Sequence, residues 1–431
     1  MRRSIELLQA RVFVLSRLSS KPGWLGLLFG SFVLGMATSF VFPFMSLWGM
    51  QSVGMTSLGF GIFMTITSLS AMVLGTLLAR WSDTRAPRRT VLLLGGLGGV
   101  LGYTGYAFVT DPVLLTIIGA LLLGVASAGF SQLFAHAREE LSLPEHGGVD
   151  PSVAMSLLRA SFSLAWTVGP ALGALVLQRF NYRGTFLVAA SLFAIFVAVV
   201  WRFVPARPPQ HSPDAAAGES LGRSLTRPVL LIHFAAFALV FAASALNMMN
   251  LPLLMTEELG GSAHHVGLAF AIAPVAEMPL MVWFGRLAAR GHQVAVIRFG
   301  VLMSVVYFAA LALARAPVHV YPLQLLSAAS VAVTMSVAIP YFQDLLPGQT
   351  GVATSVYSSS YSFGCLLGYF SFGVLLESIG HRGITLLALA FGVLSLAMLV
   401  LMRRAPRSVP ERSTTGRAEL ARPLVGSHLQ E

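Results

Sequence analysis

The chain has 431 residues, 56% of them hydrophobic and only 10% charged, with a formal net charge of +11 and a mean hydropathy of +0.77. Such a composition excludes a soluble globular domain or a disordered chain and points to a polytopic membrane protein. The single cysteine, Cys365, lies in an apolar stretch, which excludes a disulfide framework and a thiol-based metal site.

Arg2, Arg3, Arg11 and Arg17, set among apolar residues, predict a cytoplasmic amphipathic arm over 1–23; no uninterrupted apolar run with a small-residue cleavage site precedes the first span. A membrane-spanning helix needs about 20 apolar residues. Twelve stretches qualify, at 24–48, 57–79, 90–110, 113–136, 154–177, 184–204, 229–254, 264–285, 294–314, 317–342, 351–376 and 383–402. A segment over 205–228, containing Pro208, Pro209, Pro213, Asp214 and Gly218, interrupts the pattern at mid-chain. It predicts a cytoplasmic linker between a six-helix half over 24–204 and another over 229–402, followed by a cytoplasmic tail over 403–431.

The positive charge follows topology. Of the 28 basic residues, 23 fall in the arm, the tail and the loops on one side, whereas the opposite loops hold Arg179, Arg183, Arg315 and Arg382. This bias predicts both termini in the cytoplasm and argues against a nucleic-acid partner. The remaining basic residue, Arg159, sits inside the fifth stretch, and Glu277 sits inside the eighth. A charge at that depth costs about 2.5–3.5 kcal/mol on insertion scales, so it is retained where it faces protein, water or a substrate. Glu277 is the candidate proton-coupling carboxylate and Arg159 its partner: burial favours the neutral acid, a nearby guanidinium favours the carboxylate, and opening the contact switches protonation. A sugar ligand or half of a structural ion pair remain alternative roles for the same residues.

The two halves echo each other. Ser161, Ser163, Gly169, Leu177, Arg183 and Gly184 recur 199 residues later as Ser360, Ser362, Gly368, Leu376, Arg382 and Gly383. Gly75-x-Leu77-x-Ala79-Arg80 recurs as Gly285-x-Leu287-x-Ala289-Arg290. Together with the linker these echoes support a six-plus-six duplication. The counterpart of Arg159 is Ser358, so the repeat itself does not require the arginine.

Twelve spans, an internal duplication and cytoplasmic ends resemble the major facilitator superfamily over residues 24–402. The run Gly75-x-Leu77-x-Ala79-Arg80-Trp81-Ser82-Asp83-x-Arg85-x-x-Arg88-Arg89 resembles that superfamily's gating signature, with Ala79 at the usual aspartate position and the carboxylate four residues on, at Asp83. The resemblance implies gating roles for Gly75, Asp83, Arg85, Arg88 and Arg89. Gly169-Pro170-x-x-Gly173 resembles the Gly-Pro signature of its export-type branches; Pro170 frees a backbone bond and the glycines allow close approach, which suits a bend or a packing kink. Four further segments, Ser131-Gln132-Leu133-Phe134-Ala135-x-Ala137-Arg138-Glu139, Arg159-Ala160-Ser161-x-Ser163-Leu164-Ala165-Trp166, Glu277-Met278-Pro279 and Phe342-Gln343-Asp344-Leu345-x-Pro347-Gly348, are similar to the bacterial sugar efflux transporter family along essentially the whole chain. That resemblance implies proton-linked export of small sugars or glycosides across the inner membrane, with Arg138 and Asp344 serving gating or topology.

Sugars are held by planar polar groups and aromatic faces. The candidates are Asn247, Asn250, Gln324, Gln132, Trp166, Tyr357 and Tyr361, for each of which helix-to-helix hydrogen bonding is an equal alternative. His136, His233, His264 and His265 lack carboxylate or thiol neighbours at ligand spacing, so no metal is expected, nor any cofactor. Nucleophile–base constellations and a Walker lysine are missing, so the expectation is a transporter rather than an enzyme. The full expectation is an all-α, monomeric antiporter in the lipid bilayer, using protons and rocker-switch alternating access; the alternative is a multidrug efflux antiporter of the same superfamily.

Overall fold

The computed structural model describes residues 22–141, 151–205, 207, 227–347 and 349–401. The arm over 1–21, most of the linker, Gly348 and the tail over 403–431 lie outside the described residues. All regular secondary structure among the described residues is helical.

The first helix, α1 (Pro22–Ser39), continues through tighter and wider turns to Ser52. It is followed by α2 (Ser57–Thr84), α3 (Arg88–Phe108) and α4, which begins at Pro112–Ile118 and ends at Ala128–Leu141. The starts are chemically marked: Thr56 accepts a hydrogen bond from the Gly59 amide (3.1 Å), and Asp111 accepts one from Leu114 (2.7 Å) with Pro112 at the first helical position. The segment Pro151–Phe203 is 53 residues long, about 80 Å if straight and far more than a bilayer. It breaks at Asn181 (φ 53°, ψ −169°), giving α5 (151–180) and α6 (182–203).

In the second half come α7 (Pro228–Leu253), α8 (Ala263–Leu287), α9 (Gln293–Ala312) and α10 (Pro317–Ser336, continued by Ala338–Leu345). Thr350–Leu401 breaks at Gly380 (φ 68°, ψ 178°) into α11 (350–379) and α12 (381–401). Between α8 and α9 the break is at Gly291 (φ 91°). Among the described residues nine apolar segments are long enough to cross a membrane, and these three breaks each divide one of them in two.

The internal echo is a repeat of packing. Asn181 and Gly380, the residues that turn the chain, are themselves 199 residues apart. A side chain at Gly169 of α5 would strike Ser39 and Phe40 of α1; at Gly368 of α11 it would strike Ala242 and Ala245 of α7. Arg183 stacks over the Phe108 ring at the end of α3 (4.2 Å), while Arg382 donates to the Ala312 and Ala314 carbonyls at the end of α9 (2.6 and 2.9 Å). The same positions of the repeat therefore make equivalent helix contacts, as small-residue packing in lipid requires.

One apolar cluster draws only on residues between Trp24 and Val204, another only on residues between Leu230 and Leu399. A third takes residues from both halves, among them Phe44, Trp48, Phe60, Leu254 and Phe372, and gathers at the end of the bundle remote from Arg80–Arg89. These two ends are the far end and the basic end below. The halves are thus joined by burial at the far end.

Candidate functional site

Helices α5 and α8 belong to different halves and cross closely at the far end. A side chain on Gly267 of α8 would lie 2.7 Å from both the Pro170 carbonyl and the Ala174 Cβ of α5. From that crossing Arg159 is eleven residues back along α5 and Glu277 ten residues on along the antiparallel α8. At 1.5 Å per residue, both stand about 15 Å toward the basic end, at one depth. Arg159 is exposed although it lies in an apolar helix, and Glu277 is half-buried. The Arg159 charge acts on the Glu277 carboxyl and on the Tyr357 phenol, yet no salt bridge joins Arg159 to Glu277 among those of the described residues. Neither charge is held in an ion pair with the other.

The expected sugar ligands separate into two groups. Asn250 is buried and committed: its Nδ2 donates to the His381 carbonyl (2.9 Å) and to Thr385 (3.2 Å). Tyr357 is buried and donates to the Thr334 carbonyl (2.8 Å), and Gln132 accepts from Arg88 (3.0 Å). Asn247 accepts from the Tyr307 hydroxyl (3.1 Å), toward which Gln324 also points (3.5 Å), so α7, α9 and α10 are tied inside the second half. Trp166 and Tyr361 are less committed. The Trp166 indole nitrogen is enclosed with no hydrogen-bond partner, its ring meeting Phe42 edge-on, and Tyr361 is 45% exposed against Phe241. Cys365 is a free, half-buried thiol packed against the core shared by the halves.

At the basic end Arg88 gathers the gating candidates. Its guanidinium donates to Asp83 (2.8 Å), Glu139 (2.6 Å) and Gln132 (3.0 Å), binding the α2–α3 turn to α4. The carboxylate shifted to Asp83 therefore finds its partner within the same turn. Arg89 donates to the Trp201 carbonyl of α6 (2.6 Å), whereas Arg85, Arg138 and Asp344 are exposed. Gly75 has room: a side chain there would meet Ser127 only at 3.6 Å. Because Asp83 and Glu139 remain partly exposed, Arg88→Ala is expected to cost only about 1 kcal/mol of stability. Its larger effect should be on transport, so a thermal-shift change of more than about 10 °C would contradict a gating role and indicate a structural keystone instead.

The sequence reading did not find the polar network at the far end. Gln51, at the end of α1, donates to Glu257 Oε1 (2.8 Å); Glu257 Oε2 meets His381 Nε2 (3.0 Å); His381 Nδ1 meets Asn250 Oδ1 (2.8 Å). Beside it Arg382 donates to Glu258 (3.0 Å), and Ser57 of α2 donates to Glu377 of α11 (2.9 Å) and to the Gly373 carbonyl (3.2 Å). The signal available was charge at helix ends, Glu257-Glu258 and His381-Arg382, which topology counting treats as loop residues.

A cavity of about 220 Å³ lies wholly within the first half, walled by Phe42, Phe63, Tyr103, Tyr106 and Phe193 with Thr38, Ser68 and Ser127. Arg159 and Glu277 are not among its lining residues, so this cavity and the ionisable pair are separate features. The Major Facilitator Superfamily model matches residues 27–249 and 232–429. A Deinococcus radiodurans protein assigned by name to sugar efflux transport is 35% identical over 389 residues, covering 90% of this chain and 99% of the relative. The chain belongs to the sugar efflux transporter family of the major facilitator superfamily. Sugar efflux transporter A of Dickeya chrysanthemi is 29% identical over 360 residues, covering 84% of this major facilitator chain and 90% of the relative. The fold of this chain matches a crystal structure of a mutant of the nucleoside transporter NupG with a TM-score of 0.76 at 15% identity, over 88% of the chain and 100% of that structure. The protein is accordingly an all-helical, multi-pass membrane transport protein.

Proposed function

We propose that the protein exports small sugars or glycosides across the inner membrane in exchange for protons. The observation that carries this reading is the Arg159–Glu277 pair, held at one depth on helices of different halves with no salt bridge between them. Relatives named for sugar efflux support the substrate class. Contacts between the halves at the far end support a rocker-switch cycle in which that end closes and opens. In this reading the protein is a monomer with twelve spans in two six-helix halves, the linker and both termini in the cytoplasm. Trp166, whose indole nitrogen has no partner, and Tyr361, which is exposed, contact the sugar, and Asn247 joins them by exchanging its bond from Tyr307.

The deciding experiment is flux into inside-out vesicles, with radiolabelled sugars in one arm and lipophilic drugs in the other, each with and without an imposed pH gradient. Gradient-driven accumulation of sugars and not drugs is the expected result; drug accumulation alone would instead establish a multidrug antiporter. Topology is tested separately. In a Cys365→Ser background, cysteines introduced at Asp214 and Thr415 should react with an impermeant reagent only from the cytoplasmic side. Labelling from opposite faces would overturn the arrangement.

A further inference from the structure

The far-end network holds one more proton than a neutral imidazole and an ionised carboxylate supply. Asn250 Nδ2 faces the His381 carbonyl and the Thr385 hydroxyl, and that hydroxyl itself donates to the His381 carbonyl (3.1 Å). A carbonyl can only accept, so the amide nitrogen is fixed there and Asn250 Oδ1 must accept from His381 Nδ1. The Nδ1 hydrogen is thereby spoken for. His381 Nε2 then confronts Glu257 Oε2 at 3.0 Å, and a hydrogen bond forms only if a second hydrogen sits between them, on the imidazole or on the carboxyl. Without it, two lone pairs would face each other.

We propose that His381 and Glu257 form a proton-binding site distinct from Glu277, whose occupancy latches the two halves together at the far end. The bound proton fixes the Glu257 carboxyl so that its other oxygen, Oε1, accepts from Gln51 of the first half (2.8 Å). Losing it frees Glu257 and releases Gln51. Among the described residues the charged and titratable neighbours are Glu258, just past the end of α7, Arg382 on α12, Glu377 on α11 and His319 on α10, while α1 contributes the uncharged Gln51. Arg382 is already occupied by Glu258 and two carbonyls, and Glu377 by Ser57, and His319 accepts from the Arg315 amide (3.3 Å), so none of these supplies the missing hydrogen. The sign follows directly. Acid on the far side favours the far-closed state, and alkali favours opening.

The test is the distance between spin labels at Val53 and Ser378 in a Cys365→Ser background, measured by electron paramagnetic resonance in lipid nanodiscs across a pH series. One linked proton changes the closed-to-open ratio by up to about tenfold per pH unit. Glu257→Gln supplies the hydrogen permanently, since its amide donates to Nε2 while its oxygen still accepts from Gln51; it should stay closed at every pH. His381→Ala removes the site and should abolish the pH response. A wild-type distance that does not move with pH, or a full response retained in either variant, would overturn the proposal. The series is repeated in a Glu277→Gln background, which removes the proton site of the proposed function from the readout: a pH response that persists there belongs to His381 and Glu257, and one that vanishes would overturn the proposal.

Discussion

Replacement of Glu277 by Gln is expected to abolish sugar accumulation driven by a pH gradient while leaving sugar binding and exchange intact. The amide mimics the protonated acid in size and cannot lose the proton, so the step that ties proton movement to the change of access disappears. For each proton exchanged, one pH unit supports up to about tenfold accumulation, and the variant should lose all of it. Arg159→Ser, which removes the charge acting on Glu277, should insert normally, since its repeat counterpart is already Ser358, and should lose export. Three measurements in the single and double variants separate the possible roles: binding, exchange and gradient-driven export. A pure sugar ligand would weaken binding and leave residual transport pH-dependent. A pure structural pair would recover export in the double variant. Full accumulation by Glu277→Gln alone would exclude the coupling role.

The second large effect concerns the contact of α2 with α11. A side chain at Gly61 would lie 2.5 Å from the Gly373 Cα and 3.0 Å from the Tyr369 carbonyl, both backbone atoms that cannot rotate away. Gly61→Leu should therefore disfavour the far-closed state by about 1–3 kcal/mol, a shift of roughly 5- to 150-fold in the ratio of states. The expected phenotype is a well-inserted protein with far-end labels moved apart and export reduced at least in proportion. Normal export with an unchanged far-end distance would show that the two glycines do not hold the halves together.

Much of this architecture was legible in the sequence, because lipid leaves few choices: helix existence follows from apolar length. The equal depth of Arg159 and Glu277 was also legible, since it depends only on counting along two antiparallel helices. What escaped was partner choice. Asn250 and Asn247 look alike in sequence, two amides one turn apart on an apolar helix. The first is locked by His381 and Thr385 and the second reaches Tyr307, distinctions set by residues 60 to 135 positions away. Gln132 likewise reads as a ligand in a spanning helix until α4 brings it to Arg88. The far-end latch was missed because residues at helix ends look like solvent-facing loop chemistry unless the opposite half is in place.

The breaks at Asn181 and Gly380 have a mechanical meaning. Each reverses the chain in a single residue; at Asn181 the side-chain oxygen accepts from the Arg183 amide (3.0 Å) to hold a backbone geometry that glycine usually supplies. Such a hinge has no slack. A displacement of α5 is handed straight to α6, and one of α11 to α12, so these pairs act as stiff levers and the give in the machine must lie elsewhere. It is concentrated at the prolines inside spans, Pro170 in α5 at the Gly267 contact, and Pro274 and Pro279 farther along α8, whose missing hydrogen bonds let a helix flex.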